Sequence, residues 1–212
     1  MHVQKQVHLH RQMHGMPDSP PAVHRSILCV DVAGFGGRLN PDQLITRDGL
    51  YRALREAFTE SGIPPESCYC EDRGDGALIL IGPDVPKERL AGPFPTALAA
   101  LLERHNEEAP PGARIRARAA MHAGEVHYDD HGVAGCSVNT AFRLLEAAPL
   151  KDALRASPGV LALIASDWFY QEVVRQCRGC AADSFRAVDV SVKETRTRGW
   201  IRLLEAAGQP RI

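Results

Sequence analysis

The tightest constraint in this sequence is the stretch Tyr69-Cys70-Glu71-Asp72-Arg73-Gly74-Asp75-Gly76-Ala77-Leu78-Ile79-Leu80-Ile81. Tyr69 and Cys70 suit extended backbone, and the apolar run from Ala77 to Ile81 suits a buried strand. Between them stands Gly74-Asp75-Gly76, and glycine accepts the positive φ that tight hairpin turns demand. The spacing predicts two antiparallel strands with Asp75 at their tip. A carboxylate there points away from the sheet and can hold a metal ion, although a turn also favours Asp for its conformation alone. The rest of the chain bears on that choice.

Ser26-Ile27-Leu28-Cys29-Val30-Asp31-Val32 is an apolar run ending in an acid, followed by Ala33-Gly34-Phe35-Gly36-Gly37. It predicts a buried central strand that leads into a glycine-rich turn. Helical periodicity runs from about Asp42 to Ser61, where Gly62-Ile63-Pro64-Pro65 stops it, and again from Leu90 to about Asn106 after Pro86. Arg114 to Ala123 alternates as a strand with one polar face, and Gly124 to His127 leads into a polar turn over Tyr128 to Gly132. A helix from Ser137 to Ala147 is expected, interrupted by Pro149. Val160 to Ala165 predicts a further buried strand, and Ser166-Asp167 caps a short helix through Val174. Phe185–Val190 and Trp200–Leu203 form a closing antiparallel pair. The order β-α-β-β-α-β, with further strands and helices appended C-terminally, predicts an α/β (α+β) fold, a ferredoxin-like βαββαβ sandwich.

The 212 residues are enough for one sizeable core. One domain is expected over 24–206, with loosely packed tails over 1–23 and 207–212. A net charge of −1 gives no basic footprint for nucleic acid. No apolar run approaches the roughly 20 residues that span a bilayer, and no apolar signal core opens the sequence, so a cytoplasmic location is expected. Cys68, Cys70, Cys177 and Cys180 are numerous enough for a zinc site, but reduced packing thiols are the expectation. Cys29 and Cys136 read as lone thiols in apolar surroundings. His8-Leu9-His10 offers at most weak transition-metal binding.

In the expected topology the first strand and the hairpin lie side by side, so Asp31 and Asp75 can share one site. Two such acids beside a glycine-rich turn are what two-metal phosphoryl chemistry requires: carboxylates bridge the ions, and bare N–H groups receive phosphate oxygens. Asn139 and Arg143, four apart at the start of a helix, share one face. An amide beside a guanidinium can orient a ribose and stabilise a phosphate in flight; alone, the same pair reads more simply as a helix cap and a surface Arg.

Asp31-Val32-Ala33-Gly34-Phe35, Gly74-Asp75-Gly76, Met121-His122-Ala123-Gly124-Glu125-Val126, Gly135-Cys136-Ser137-Val138-Asn139 and Arg143-Leu144 occur in one order. That order resembles the class III nucleotidyl (adenylate/guanylate) cyclase catalytic domain, over about Arg25 to Leu204. The resemblance implies a head-to-tail homodimer with active sites across its interface. It implies that Asp31, with Val32 beside it, and Asp75 hold two Mg2+ or Mn2+ ions, while Asn139 and Arg143 of the other copy act on the transition state. Gly34, Phe35 and Gly36 would receive phosphates, and Lys193 would bind the triphosphate. The implied reaction closes a 3′,5′-cyclic nucleotide and releases pyrophosphate.

Glu71, four residues before Asp75, stands where ATP-using relatives usually carry Lys and guanylate-using relatives carry Glu. A carboxylate accepts from guanine N1–H and the N2 amine, whereas adenine offers an acceptor at N1. At Gly132, seven before Asn139, a polar side chain is more usual; its absence leaves room for a larger base edge or for His131. GTP is expected first, a pyrimidine nucleotide second and ATP third. A catalytically silent cyclase-like module is the alternative from another class.

Overall fold

The computed structural model describes residues 21–204. The expected tails, His8-Leu9-His10 among them, lie outside these residues, except that Pro21 and Ala22 are described and Val23 already belongs to the first strand.

β1 (Val23–Val32) runs up the middle of the molecule. Its side chains alternate between two cores. Leu28, Val30 and Val32 enter one, and Ile27 and Cys29 enter the other. α1 (Asn40–Glu60) starts with Pro41 in its first turn, where the missing N–H costs nothing. It packs Leu50, Leu54 and Phe58 onto the first core. β2 (Cys68–Asp72) and β3 (Gly76–Ile81) form the expected hairpin, and all six β3 residues are buried. β3 pairs with β2 on one side and β1 on the other, so it is a second central strand, and fully burying each Leu or Ile there is worth about 1.5–3 kcal/mol.

The helix expected from Leu90 to Asn106 is two helices, α2 (Lys87–Ala91) and α3 (Pro93–Glu108), broken at Gly92. Pro93 cannot continue α2, but it can begin α3. Phe94 stacks on Phe58 of α1 with ring centroids 4.9 Å apart.

β4 (Ala117–Asp129) is longer than expected and is buried along most of its first seven residues. It lies between β1 and β6 (Leu161–Ser166), so small residues face both cores and the polar-face alternation does not hold. Gly124 to His127, expected to lead into a polar turn over Tyr128 to Gly132, continues as strand to Asp129, and the chain turns back through β5 (Gly132–Ala134). α4 (Cys136–Leu145) follows, and then α5 (Ala148–Ala156), where Pro149 opens a helix instead of merely interrupting one. Leu150, Ala153 and Leu154 seat α5 on the second core.

After β6, Ser166 Oγ accepts from the Phe169 N–H at 3.1 Å, which caps the expected short helical stretch. β7 (Arg186–Val192) and β8 (Thr195–Leu204) close the sheet as an antiparallel pair.

The order across the sheet is β2-β3-β1-β4-β6-β8-β7, with β5 on β4. Its first four strands carry the ferredoxin-like arrangement. β4 and β6 are parallel, and the other neighbours are antiparallel. Among the described residues no helix is long and apolar enough to cross a membrane. All six thiols are free, and no group of three or more metal-binding side chains occurs among the described residues. Cys29 is buried as expected, but Cys136 is exposed at the start of α4.

Candidate active site

The two acids come together through backbone pairing. Asp31 lies opposite Gly76 in the β1–β3 ladder, and the Val32 N–H donates to the Asp75 carbonyl at 2.9 Å. Gly76 makes this approach possible, because a Cβ there would run into the Val30 carbonyl oxygen. The Val32 side chain is in the core, so only its main chain faces the site. The tip is braced from α1. Arg47 pairs with Asp72 and donates to the Gly74 carbonyl, while the Tyr51 hydroxyl bonds Asp72 at 3.0 Å and the Gly76 carbonyl at 3.1 Å. Arg47 and the Gly74 N–H hold the Asp72 carboxyl well below the usual carboxylate range.

Asp31 follows Cys29 on the face covered by α4 and α5. Burial pushes its carboxyl up to about 6; Arg118 opposes the shift, and the charge of Asp75 adds to it. Arg118 sits directly across the β1–β4 ladder and donates to Asp31 Oδ2 at 2.6 Å. Asp31 Oδ1 is buried with no partner, as are Arg118 Nε and Arg143 Nε, three of the five such atoms among the described residues. Buried polar atoms are normally satisfied, so the two orphans that lie together, Asp31 Oδ1 and Arg118 Nε, mark a place suited to a ligand. An orphaned carboxylate oxygen beside a second acid fits a hard divalent cation, with substrate phosphates able to complete the oxygen shell.

Beside Asp31, a cavity of about 310 Å³ is lined by Ala33, Gly34, Arg116, Arg118, Lys151 and Arg155. Its charge suits phosphate. Gly34 has φ 69 and opens a single tight turn, Phe35–Gly37. Phe35 packs on the core, and the space around Gly36 is open.

The amide and guanidinium form a second group. Asn139 and Arg143 stand one turn apart on α4, as expected, with Asn139 exposed. Arg143 Nη2 meets Glu194 Oε1 at 3.3 Å, and its side chain is only 18% exposed. Glu194 follows Lys193 in the β7–β8 turn, where Lys193 takes a left-handed φ of 50. The turn therefore delivers Lys193 to the neighbourhood of Arg143. Among the described residues no hydrogen bond or ion pair joins Asp31 or Asp75 to Asn139, Arg143 or Lys193.

Glu71 and Gly132 meet directly. The Glu71 carboxylate fills the space at Gly132, where an added Cβ would stand 2.9 Å from Oε1. The room expected for a larger base edge or for His131 is therefore taken. His131 is exposed, and its N–H donates to Asp129 Oδ1 at 2.7 Å. Gly132 also has φ 125, which a side chain would strain.

His122, part of the sequence motif, is a structural residue. It is pushed down to about 4 by burial and bonded to Ser166 Oγ at 2.8 Å.

Sequence reasoning did not single out Arg118, Lys151, Arg73 or Glu194. Arg118 was one of three alternating arginines, and only the β1–β4 register sets it opposite Asp31. Arg116, by contrast, is used up on the carbonyls of Leu154, Ser157 and Gly159. Glu194 had one signal, its place next to Lys193.

No family model matches the chain, and no curated protein matches its sequence. Solved structures do match. The guanylyl cyclase Cya2 is 17% identical, with 90% of this chain and 98% of that one covered at a TM-score of 0.59. An adenylate/guanylate cyclase/hydrolase from Silicibacter pomeroyi is 21% identical, covering 87% and 99% at 0.60. A bacterial light-regulated adenylyl cyclase is 14% identical, covering 85% and 90% at 0.56. The chain thus has the fold of the guanylyl and adenylyl cyclase catalytic domains.

Proposed function

We propose that the chain is a class III-type nucleotidyl cyclase that converts a nucleoside triphosphate into a 3′,5′-cyclic nucleotide and pyrophosphate. The observation that carries this reading is the division of the site. Asp31 and Asp75 form one group, Asn139, Arg143 and Lys193 form another, and among the described residues no hydrogen bond or ion pair links them. A head-to-tail homodimer would face the acids of one copy with the amide–guanidinium pair of the other, and a twofold axis would make two such sites.

Asp31 and Asp75 would hold Mg2+ or Mn2+, two ions per site, with the main chain of Val32 beside them. When bound, such ions acidify the ribose 3′-hydroxyl and neutralise the triphosphate. Gly34, Phe35 and Gly36 would receive phosphate oxygens on backbone N–H groups, and Arg118 and Lys151 would add positive charge beside them. Asn139 would aim the ribose so that its 3′-oxygen attacks the α-phosphate in line with the departing pyrophosphate. Arg143 would stabilise the charge building on that phosphate, and Lys193 would steady the leaving group. Glu71 favours GTP, with a pyrimidine nucleotide second and ATP third.

The test is mass-spectrometric identification of the product when purified protein meets each of the four nucleoside triphosphates with Mn2+. Cyclic GMP is expected, and no product from any of them would refute the enzyme. The resting pairs Asp31–Arg118 and Arg143–Glu194 favour one second reading, a nucleotide-binding module without turnover. Tight binding with no cyclic product would establish it.

A further inference from the structure

Glu71 is held in place on two sides. Its Oε1 accepts from the Tyr69 hydroxyl at 2.8 Å, and its Oε2 pairs with the Arg73 guanidinium. Tyr69 is propped in turn by an edge contact with Tyr128, ring centroids 5.4 Å apart. Arg73 is fixed as well, its guanidinium lying 5.3 Å from the centroid of the Phe142 ring. Phe142 stands on α4 three residues after Asn139 and one before Arg143. A row of contacts therefore runs from the residue that would aim the ribose, through Phe142 and Arg73, to Glu71 against Gly132.

We infer that Arg73 is a specificity residue, and that the Arg73–Glu71 pair reads the O=C–N–H edge of a base, accepting guanine and uracil nucleotides and rejecting adenine and cytosine nucleotides. This rests on the nucleotide-binding reading of the site. A carboxylate alone does not make that choice, because a glutamate free to swing accepts the exocyclic amine of adenine as readily as the N1–H of guanine. A fixed carboxylate beside a fixed donor reads the polarity of the whole edge. A carboxylate offers about four acceptor positions and a guanidinium five N–H donors. Tyr69 and Arg73 leave both groups with capacity for a base.

Guanine presents O6 to Arg73 and N1–H to Glu71, and uracil presents O4 and N3–H in the same order. Adenine and cytosine reverse it, setting an amine against the guanidinium and a bare ring nitrogen against the carboxylate. Each then leaves polar groups unpaired, the arrangement that sites built on hydrogen bonds reject most strongly.

The experiment measures equilibrium binding by calorimetry on the whole protein with Mn2+. Its probes are the 3′-deoxy triphosphates of guanosine, uridine, adenosine and cytidine, which cannot cyclise. The wild type is expected to bind the guanosine and uridine probes about tenfold or more tightly than the other two. In Arg73→Met, which keeps the stem over Phe142 and loses the donors, affinity for the guanosine and uridine probes falls and the ratio shrinks to within about threefold. If affinity for the adenosine and cytidine probes rises instead while the other two hold, Arg73 merely props Glu71 and the inference is wrong. An unchanged ratio also overturns it, as does a wild type that binds the adenosine probe as tightly as the guanosine one. Glu71→Gln serves if Arg73→Met does not fold: its amide must narrow the same ratio, and a ratio left intact counts against the pair. Failure of the wild type to bind any of the four probes defeats the nucleotide reading itself, a result distinct from binding without discrimination.

Discussion

The two halves of the proposed site are built in different ways. The acid half is set by backbone: the β1–β3 ladder places Asp31 beside the hairpin, the Asp75 carbonyl takes the Val32 N–H, and Arg47, Tyr51 and Asp72 lock the tip to α1. The helix half is set by side chains. Asn139 is exposed, and among the described residues the one polar partner of the Arg143 guanidinium is Glu194, which is itself 73% exposed. Ions need ligands fixed to within a few tenths of an ångström. A phosphate that changes shape during reaction needs donors that can follow it. The contrast teaches that, in the proposed site, the ion ligands and the Gly34–Gly36 phosphate cradle would be held by the fold, whereas the contacts to the reacting α-phosphate would rest on a few rotamers.

The hardest break of that contrast is Gly76→Ala. Its Cβ collides with the Val30 carbonyl, so the strands must part at the tip. Thermal unfolding should report a loss of about 1–3 kcal/mol, and Mn2+ binding should disappear. The corresponding change in the helix half, Asn139→Ala, should leave both intact; equal damage from the two would erase the distinction.

Proton competition sharpens it next. The Asp31 carboxyl titrates at about 6 in the folded protein against 3.8 ordinarily, so folding favours its protonated form. The apo protein should lose stability as pH rises from 4 through 6, because Asp31 is then ionised while buried. Mn2+ needs the ionised form, so its affinity should weaken as pH falls through 6, by about tenfold per unit below it. Calorimetric titrations between pH 5 and 8 check both signs, and a flat profile would remove Asp31 from the ligand set.

The smallest effect belongs to Glu194→Gln. Arg143 loses an exposed partner, and such pairs contribute little to stability. Unfolding should barely shift, while tripolyphosphate binding should tighten by about threefold as the competing charge goes. Weaker binding would instead mean that Glu194 holds Arg143 in its working position.

How much of this was legible in the sequence follows the same division. The hairpin, the central strand and the meeting of Asp31 with Asp75 were readable because turn chemistry and apolar runs are local signals. β4 reads short from sequence because its last six residues, Gly124–Asp129, are polar and, apart from Val126, only partly buried or exposed, so they resemble a turn and not a strand. α5 is not legible because Pro149 reads as a break, although a proline in the first turn equally starts a helix. In the site, the filling of Gly132 by Glu71 and the pairing of Arg118 with Asp31 depend on register between strands distant in sequence. Arg73 belongs to the hairpin sequence, but its place over Phe142 depends on how α4 docks against the sheet.

Mixing two inactive variants tests the shared site most directly. Asp75→Ala removes an acid and Asn139→Ala removes the amide, and each alone should turn over no nucleotide. Co-refolded or co-expressed in equal amounts, they should regain about a quarter of wild-type activity, because half of the dimers are mixed and each mixed dimer keeps one intact site. If heterodimers form and the mixture stays silent, the two halves do not meet across an interface.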